Sequence, residues 1–212
     1  MAAYISIQPK DNFNVISYTG TGAAQSLTGL GFQPDLVWLK RTNGTSEHIL
    51  FDVNRMSDTN KAQYITNGNT VSTTVMVSLD SDGFSLGNDG VINENTYTYA
   101  SWNWKMGTTS GLSGGTLTPS AYSINTTAKQ GIYYYTGTGS SATIAHGLGD
   151  APSAIFIKKL SGTDSWACYM ESAGNTKCMA LDTSAALETG AGFWDSTSPT
   201  STVFTVKDNS RL

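Results

Sequence analysis

The sequence predicts an all-β protein made of two tandem antiparallel β-sandwiches. Composition is the first observation: only 13% of the 212 residues are charged, against about 25% in an average globular protein. Glycine, with 22 residues, and many serine, threonine and asparagine residues replace the charges, and these residue types suit turns and strand surfaces better than helices. The second observation is a series of short apolar or alternating runs typical of strands. The third is that one stretch of the chain occurs twice.

The first copy begins with a β-prone run at residues 15–18, which stops at the glycine-rich turn 19–22. Pro34 then presets the backbone angle of a second turn. Residues 36–41 are almost continuously apolar and end in charge, which predicts a buried strand. Later strands are predicted at residues 46–51, 75–79, 83–86 and 97–105, with a hairpin turn at residues 80–82.

A second copy follows in the same order, with a single shift of one residue. Its matches to the first copy are residues 132–135 with 15–18, 147–149 with 29–31, Pro152 with Pro34, and 154–159 with 36–41. Looser matches continue with residues 164–169 against 46–51 and 203–206 against 83–86. Because so many ordered matches are not expected by chance, the sequence predicts a tandem duplication.

The duplication divides the chain. The predicted parts are an N-terminal arm at residues 1–13, a first repeat at 14–105, a linker at 106–130 and a second repeat at 131–212. The linker is rich in glycine, serine and threonine, as flexible linkers are, although residues 122–124 also resemble a strand.

The second repeat has no match to the strand at residues 97–105, because the sequence ends at Leu212. A sandwich without its closing strand has an open sheet edge and an uncovered core. Three explanations stay open: the sequence is cut from a longer chain, a neighbouring subunit fills the gap, or the N-terminal arm does.

Charge and composition exclude several classes of function. The net charge is −4 and lysine and arginine are not clustered, which argues against nucleic-acid binding. No apolar run approaches the roughly 20 residues that cross a bilayer, and residues 1–13 do not resemble a secretory signal. Cys168 and Cys178 are expected to be reduced thiols on strands, with a disulfide as the alternative.

No pattern of catalytic or metal-binding residues stands out. Glutamates occur singly rather than in the pairs of a glycosidase. The turn 80–83 has too few ligands for calcium, and His146 lies in a turn without a nearby nucleophile motif. The glycines at 20, 22 and 29 are turn glycines, because no helix follows them to bind phosphate. We therefore expect no enzyme activity, no resident metal and no cofactor.

Tryptophans are the one ambiguous group. Trp38, Trp102 and Trp104 lie in strand patterns and are predicted to face the core, the last two on one face of their strand. Trp166 and Trp194 lie nearer loops and are the candidate carbohydrate-binding residues, since an exposed indole can stack on a sugar ring. Half-buried anchoring of loops is the alternative for both. We expect any function on loops that the two copies do not share.

The aligned motifs resemble the tandem lectin-like domains in virion proteins of tailed bacteriophages. They are Tyr-Thr-Gly-x-Gly at 18–22 and 135–139, Ser-Leu-Asp-Ser-Asp-Gly-Phe at 78–84, Tyr-x-x-Ala-Ser-Trp-Asn-Trp-Lys at 97–105, and in the second copy residues 164–166, 181–182 and 194–199. The resemblance covers nearly the whole chain and implies a concanavalin A-like jelly roll in each copy. Members often continue through a closing strand and further repeats.

The resemblance also implies a function and a location. It indicates a non-enzymatic virion structural protein on the particle exterior, made in the host cytoplasm, in a tail fibre or appendage that contacts a host-surface glycan. A capsid decoration or adaptor protein that binds only other virion subunits is the alternative. Other virion proteins are the expected partners, with a homo-oligomer such as a trimer, and with neither nucleic acid nor membrane insertion.

Overall fold

A computed structural model describes residues 8–56, 63–65, 76–190 and 192–212. These residues form two compact units. Unit 1 comprises residues 8–56, 63–64 and 76–107, and unit 2 comprises Ile65, 108–190 and 192–212. The predicted all-β class is confirmed, since every strand pairing is antiparallel apart from one isolated bridge. Most of the expected N-terminal arm, residues 1–7, and residue 75 of a predicted strand lie outside the described residues.

Within the described ranges, helical structure is limited to three short segments. They are the 3-10 turns Pro9–Asp11 and Glu171–Ala173 and the four-residue helix Val53–Met56. Among the residues described, no helix has the length and apolar character needed to cross a membrane.

Unit 1 contains eight strands in two sheets. The strands are β1 Phe13–Thr19, β2 Gln25–Thr28, β3 Leu36–Arg41, β4 Ile49–Asp52, β5 Gln63–Tyr64, β6 Met76–Asp80, β7 Gly83–Leu86 and β8 Thr98–Trp104. One sheet has the order β1-β8-β3-β4-β5 and the other the order β2-β7-β6.

Strand β8 lies between two neighbours in the larger sheet, pairing along its whole length with β1 and along most of its length with β3. Its residues alternate between a buried and a half-buried face. Tyr99, Ser101 and Asn103 lie on the buried face, while Trp102 and Trp104 lie on the other. Strand β8 therefore alternates along its whole length, as expected for a strand with one face in the core.

The buried faces of unit 1 form an apolar core. Its fully buried members include Val37, Leu39, Phe51, Phe84 and Leu86. Burial of each such side chain contributes about 1.5–3 kcal/mol to stability. The closing loop before β8 is tied to this core, because the hydroxyl of Tyr18 donates to the carbonyl oxygen of Ile92 at 2.7 Å.

A glycine allows the loop before β8 to approach β1. A Cβ atom at Gly20 would lie 2.1 Å from the carbonyl oxygen of Glu94. The N–H of Gly20 donates to the carbonyl oxygen of Tyr97 at 2.8 Å. This close backbone approach explains the first turn glycine, which serves packing rather than phosphate binding.

Unit 2 contains eight strands arranged as four pairs. The strands are β9 Ala121–Asn125, β10 Gln130–Tyr134, β11 Ala142–Ala145, β12 Ala154–Ile157, β13 Ala167–Met170, β14 Lys177–Cys178, β15 Glu188–Thr189 and β16 Val203–Val206. The pairs are β9–β10, β11–β16, β12–β13 and β14–β15. The core contains Ile144, Ala167, Tyr169, Trp194 and Phe204.

The predicted strand bounds agree with the structure at β3, β7 and β16 and differ by a few residues at the other predicted strands. Strands β2, β5 and β11 were not predicted. The boundary between the units falls after Gly107, within the predicted linker. Residues 121–125 form β9, which pairs with β10, where a strand-like run was expected at residues 122–124. The β-prone residues Tyr122 and Ile124 outweigh the glycine-rich composition around them.

Candidate functional site

The two loop tryptophans proposed for sugar contact are buried in unit 2. Trp194 is 1% exposed and its Nε1–H donates to the carbonyl oxygen of Lys177 at 2.8 Å. Its ring packs edge-on against Tyr169, with 5.7 Å between centroids. Trp166 is 6% exposed. Because neither indole presents a ring face to solvent, the carbohydrate hypothesis for these two residues does not fit the structure; both are interior anchors.

Aromatic rings do gather on unit 1, on the half-buried face of the larger sheet. We call this set the aromatic face; its members are Phe13, Trp38, His48, Trp102 and Trp104, all half-buried. Strand register brings them together, since Trp38 and Trp102 are direct cross-strand partners and so are Phe13 and Trp104. Direct cross-strand neighbours on one face are close enough for their side chains to touch.

Ring geometry ties these side chains into two contacts. Phe13 and Trp104 lie 5.1 Å apart between centroids at 49°, and Trp38 and Trp102 lie 6.1 Å apart at 62°. These tilted and edge-to-face arrangements are the ones that aromatic pairs prefer. The rings therefore have fixed orientations on a rigid sheet, rather than on a mobile loop.

His48 fixes one end of the aromatic face. The Nε1–H of Trp38 donates to Nδ1 of His48 at 3.0 Å, and the two rings meet edge-on. Burial and the nearby charge of Lys40 lower the pKa of His48. Since Nδ1 accepts this hydrogen bond, the neutral imidazole carries its proton on Nε2. Protonation of Nδ1 would break the contact that orients the indole of Trp38.

Part of the aromatic face could be predicted from the sequence. It predicted that Trp102 and Trp104 share one side of their strand, which the structure confirms. It also predicted that all three strand tryptophans face the core, which is wrong. Val37 and Leu39 are the buried residues of β3, and the buried residues of β8 alternate with Trp102 and Trp104 rather than including them. A continuously apolar strand carries no alternation from which its buried face can be read.

His146 has a structural role in unit 2. It is 1% exposed, its Nδ1 accepts the N–H of Leu148 at 3.1 Å, and its Nε2–H donates to the carbonyl oxygen of Thr200 at 3.0 Å. Burial lowers the pKa of His146. Both ring nitrogens are thus occupied by backbone groups, as expected for a histidine that holds a turn.

The carboxylates of the acidic hairpin turn in unit 1 also form their hydrogen bonds within the protein. The carboxylate of Asp80 accepts from the hydroxyls of Ser78 and Ser85, both at 2.7 Å, and these bonds lower its pKa. The carboxylate of Asp82 accepts two backbone N–H groups within residues 29–31. In the part of the chain that the structure describes, no group of three acidic, histidine or cysteine side chains could hold a metal ion.

The two cysteines are free and buried. Cys168 pairs with Met179 across an antiparallel bridge, with N–H to O distances of 2.9 and 3.0 Å. Cys178 precedes Met179, so its side chain points to the opposite face of the strands. Burial raises the pKa of Cys168 to about 12 and also raises that of Cys178. Because burial disfavours the thiolate form, we expect both thiols to be unreactive, and their reduced state stays a prediction.

A cavity of about 270 Å³ lies within unit 2. Thr108 and residues 110–113 line it, together with Ile124, Thr126 and Gly147. The lining offers hydroxyls and aliphatic groups but no titratable side chain, so it provides neither a general acid nor a general base.

Comparison with known proteins gives one match. The sequence matches the family described as Domain of unknown function (DUF7483) over residues 8–212. No curated protein and no solved structure matches the chain. Since the matched region spans both units, the chain belongs to the family described as Domain of unknown function (DUF7483).

Proposed function

We propose that the chain is a non-enzymatic structural protein of a bacteriophage particle, built as two tandem jelly-roll sandwiches of the concanavalin A-like type. The motif resemblance supports the virion assignment. In this proposal the protein lies on the virion exterior, in a tail fibre or appendage, among other virion proteins and further copies of itself. Its binding activity is contact with a host-surface glycan.

Matched strand pairs support the tandem architecture. Strands β3 and β4 of unit 1 pair with each other, as do β12 and β13, which contain the matching sequences of unit 2. Strands β2 and β7 pair in the same way as β11 and β16. Within each of these matched pairs, the neighbouring strands are antiparallel.

The aromatic face is the observation that carries the binding proposal. Trp38, Trp102 and Trp104 are half-buried on one face of one sheet, with their rings held by cross-strand contacts. An aromatic ring presents an apolar face on which the C–H groups of a pyranose can stack, and a rigid ring loses little conformational entropy on binding. At the edge of the same face, His48 keeps its Nε2–H and Lys40 keeps the N–H groups that it does not donate to the carbonyl of Arg41, and these are donors for glycan hydroxyls.

Glycan binding can be tested with an array of host-derived polysaccharides, followed by titration of any hit. We expect Trp102→Ala to weaken binding by roughly tenfold or more, because one stacked aromatic ring contributes about 1–2 kcal/mol. Val77→Ala is the matched control, since Val77 is 54% exposed and lies on the other sheet. Circular dichroism of both variants separates lost binding from lost folding.

Two results would count against the proposal. A Trp102→Ala variant that folds and retains full affinity would place the glycan elsewhere. Cleavage of the polysaccharide by the purified protein, abolished by substitution of one aspartate or glutamate, would make the protein an enzyme.

A capsid decoration or adaptor protein that binds only virion subunits is the second candidate. The burial of Trp166 and Trp194 favours it, because these residues were the loop positions from which sugar contact was expected. This candidate predicts no hit on the glycan array and retention of particle binding by Trp102→Ala.

A further inference from the structure

The side of the larger sheet that carries the aromatic face continues past the tryptophans. Alternate residues of a strand share one side of the sheet, so β8 presents Ala100 and Thr98 beyond Trp102. Ser17 of β1 and Lys40 of β3 lie directly opposite Ala100. The aromatic rings therefore border a row of small or polar side chains.

A row of threonines follows at the end of the same strands. Thr19 lies opposite Thr98, and the hydroxyls of Thr98 and Thr42 lie 2.7 Å apart. We call this part of the sheet the polar end; its members are Ser17, Thr19, Lys40, Thr42 and Thr98, all half-buried or exposed. The sheet thus presents aromatic rings and hydrogen-bonding groups side by side, which is the combination that small-molecule sites use for affinity and orientation.

Ala100 leaves room between the rings and the polar end. Its side chain is a single methyl group, yet the residue is only half-buried, so its neighbours leave part of it accessible. Trp102 and Lys40 are diagonal neighbours across strands β8 and β3, and such neighbours lie about 7–8 Å apart. A sugar ring that stacks on Trp102 can therefore extend over Ala100 and place a substituent at Lys40.

Lys40 is the cation of the polar end. Its ammonium donates to the carbonyl oxygen of Arg41 at 3.0 Å, which holds it close to the strand. Two arginines of unit 1 pair with carboxylates, Arg41 with Glu94 and Arg55 with Asp52. Among the residues that the structure describes, no carboxylate lies within ion-pair distance of Lys40. The positive charge of Lys40 is therefore available to a ligand.

The charges around His48 indicate the sign of the local potential. Burial lowers the pKa of His48, and among the nearby charges Lys40 lowers this pKa by more than Glu47 raises it. Glu47 is exposed and Lys40 is half-buried, so solvent screens the carboxylate more than the ammonium. This corner of the sheet is therefore positive, although the whole chain has a net charge of −4.

We propose that the glycan bound by unit 1 contains an acidic sugar, whose ring stacks on Trp102 and whose carboxylate pairs with Lys40. This inference rests on the proposed glycan binding and names its substrate class. The Nε2–H of His48 is a second donor near Lys40, and charge-assisted hydrogen bonds to a carboxylate are stronger than neutral ones. The aromatic face supplies stacking for any sugar, whereas Lys40 makes the site specific for an acidic one.

Uronic acid and sialic acid oligosaccharides are the probes, each paired with the neutral form in which its carboxylates are reduced to primary alcohols. Both forms are titrated against the full chain by calorimetry. We expect the acidic form to bind about fivefold more tightly than its neutral partner at low salt, since one accessible ion pair contributes on this order. The difference should shrink as the salt concentration rises to about 1 M, because salt screens the pair.

Substitutions of Lys40 test its role in this preference. Lys40→Gln removes the charge and keeps an N–H donor for the carbonyl of Arg41. It should abolish the preference for the acidic form without weakening the neutral form, and Lys40→Arg should keep the preference. Lys177→Gln is the matched control, because it changes the net charge by the same amount at a lysine of unit 2 that donates to Thr189; it should leave the preference unchanged.

Trp102→Ala separates the failure of this inference from the failure of glycan binding. It should weaken both forms about tenfold, since both stack on the same ring. If the native protein binds both forms equally, or binds neutral sugars alone, and Trp102→Ala weakens that binding, glycan binding stands and the acidic-sugar proposal is overturned. A preference that persists in Lys40→Gln would also overturn it. Binding of no sugar, acidic or neutral, would overturn both proposals.

Discussion

Two matched tyrosines give a quantitative prediction about the two units. Tyr18 in unit 1 and Tyr135 in unit 2 occupy matching sequence positions, and burial raises the pKa of both. The hydroxyl of Tyr18 donates to the carbonyl oxygen of Ile92 at 2.7 Å. The hydroxyl of Tyr135 is buried without a hydrogen-bond partner among the described residues. The same substitution to phenylalanine should therefore have opposite effects.

Tyr18→Phe should lower the free energy of unfolding of unit 1 by about 2 kcal/mol. It removes one buried hydrogen bond, with a net contribution of about 1 kcal/mol, and leaves the carbonyl of Ile92 unsatisfied at a similar cost. Tyr135→Phe removes a hydroxyl that is already desolvated and unpaired. Its expected effect on unit 2 lies between zero and a gain of about 1 kcal/mol.

Native-state hydrogen exchange in increasing urea measures both effects, because each unit can be followed by its own strand amides. Amides of β3 report on unit 1 and amides of β11 report on unit 2. Each single variant is the control for the other, since the atom removed is the same. A loss of about 2 kcal/mol in unit 2 for Tyr135→Phe would mean that this hydroxyl has a partner in solution, and would refute the reasoning.

Three more outcomes follow from the buried groups of unit 2. His146→Leu should destabilise it by about 2–3 kcal/mol in urea unfolding, by unpairing two backbone groups, and His146→Asn should recover part of this because Oδ1 can replace Nδ1 as acceptor. Because the pKa of His146 is lowered in the folded protein, the unfolded chain binds the proton first, and stability should fall as the pH decreases below 6.5, the ordinary histidine pKa. His146→Leu should flatten this dependence of stability on pH, leaving only the contribution of His48, whose pKa is also lowered. An unchanged pH dependence would contradict the assignment. Cys168 and Cys178 should react with a thiol reagent at least about 100-fold more slowly in the native than in the denatured protein, and fast labelling of both would contradict their burial.

Much of the strand arrangement could be predicted from the sequence because its signals are local. The run at β3, the hairpin of β6 and β7 and the aromatic alternation of β8 each combine strand-forming residues with turn residues at their ends. The glycine-rich segment before β10 gave a weaker signal, since only residues 122–124 resemble a strand there. Its pairing with β10, which extends the strand to residues 121–125, is not readable from composition.

The candidate site was harder to predict, because burial of a tryptophan depends on contacts distant in sequence. Trp194 follows a glycine-rich stretch, yet its indole reaches the carbonyl of Lys177 and the ring of Tyr169. Trp38 lies in an apolar run, yet register with Trp102 places it on the half-buried face. Neither partner is identifiable from local patterns, since long-range register is not encoded in a single strand.

The aromatic face lies on strands rather than on the loops where a function was expected. Trp38 has a match in unit 2, Phe156, which is 48% exposed. In unit 1 the indole of Trp38 on β3 instead meets that of Trp102 on β8. Strand β8 therefore both joins β1 to β3 and completes the aromatic face. A substitution that disturbs the pairing of β8 should weaken binding at this face together with the stability of unit 1.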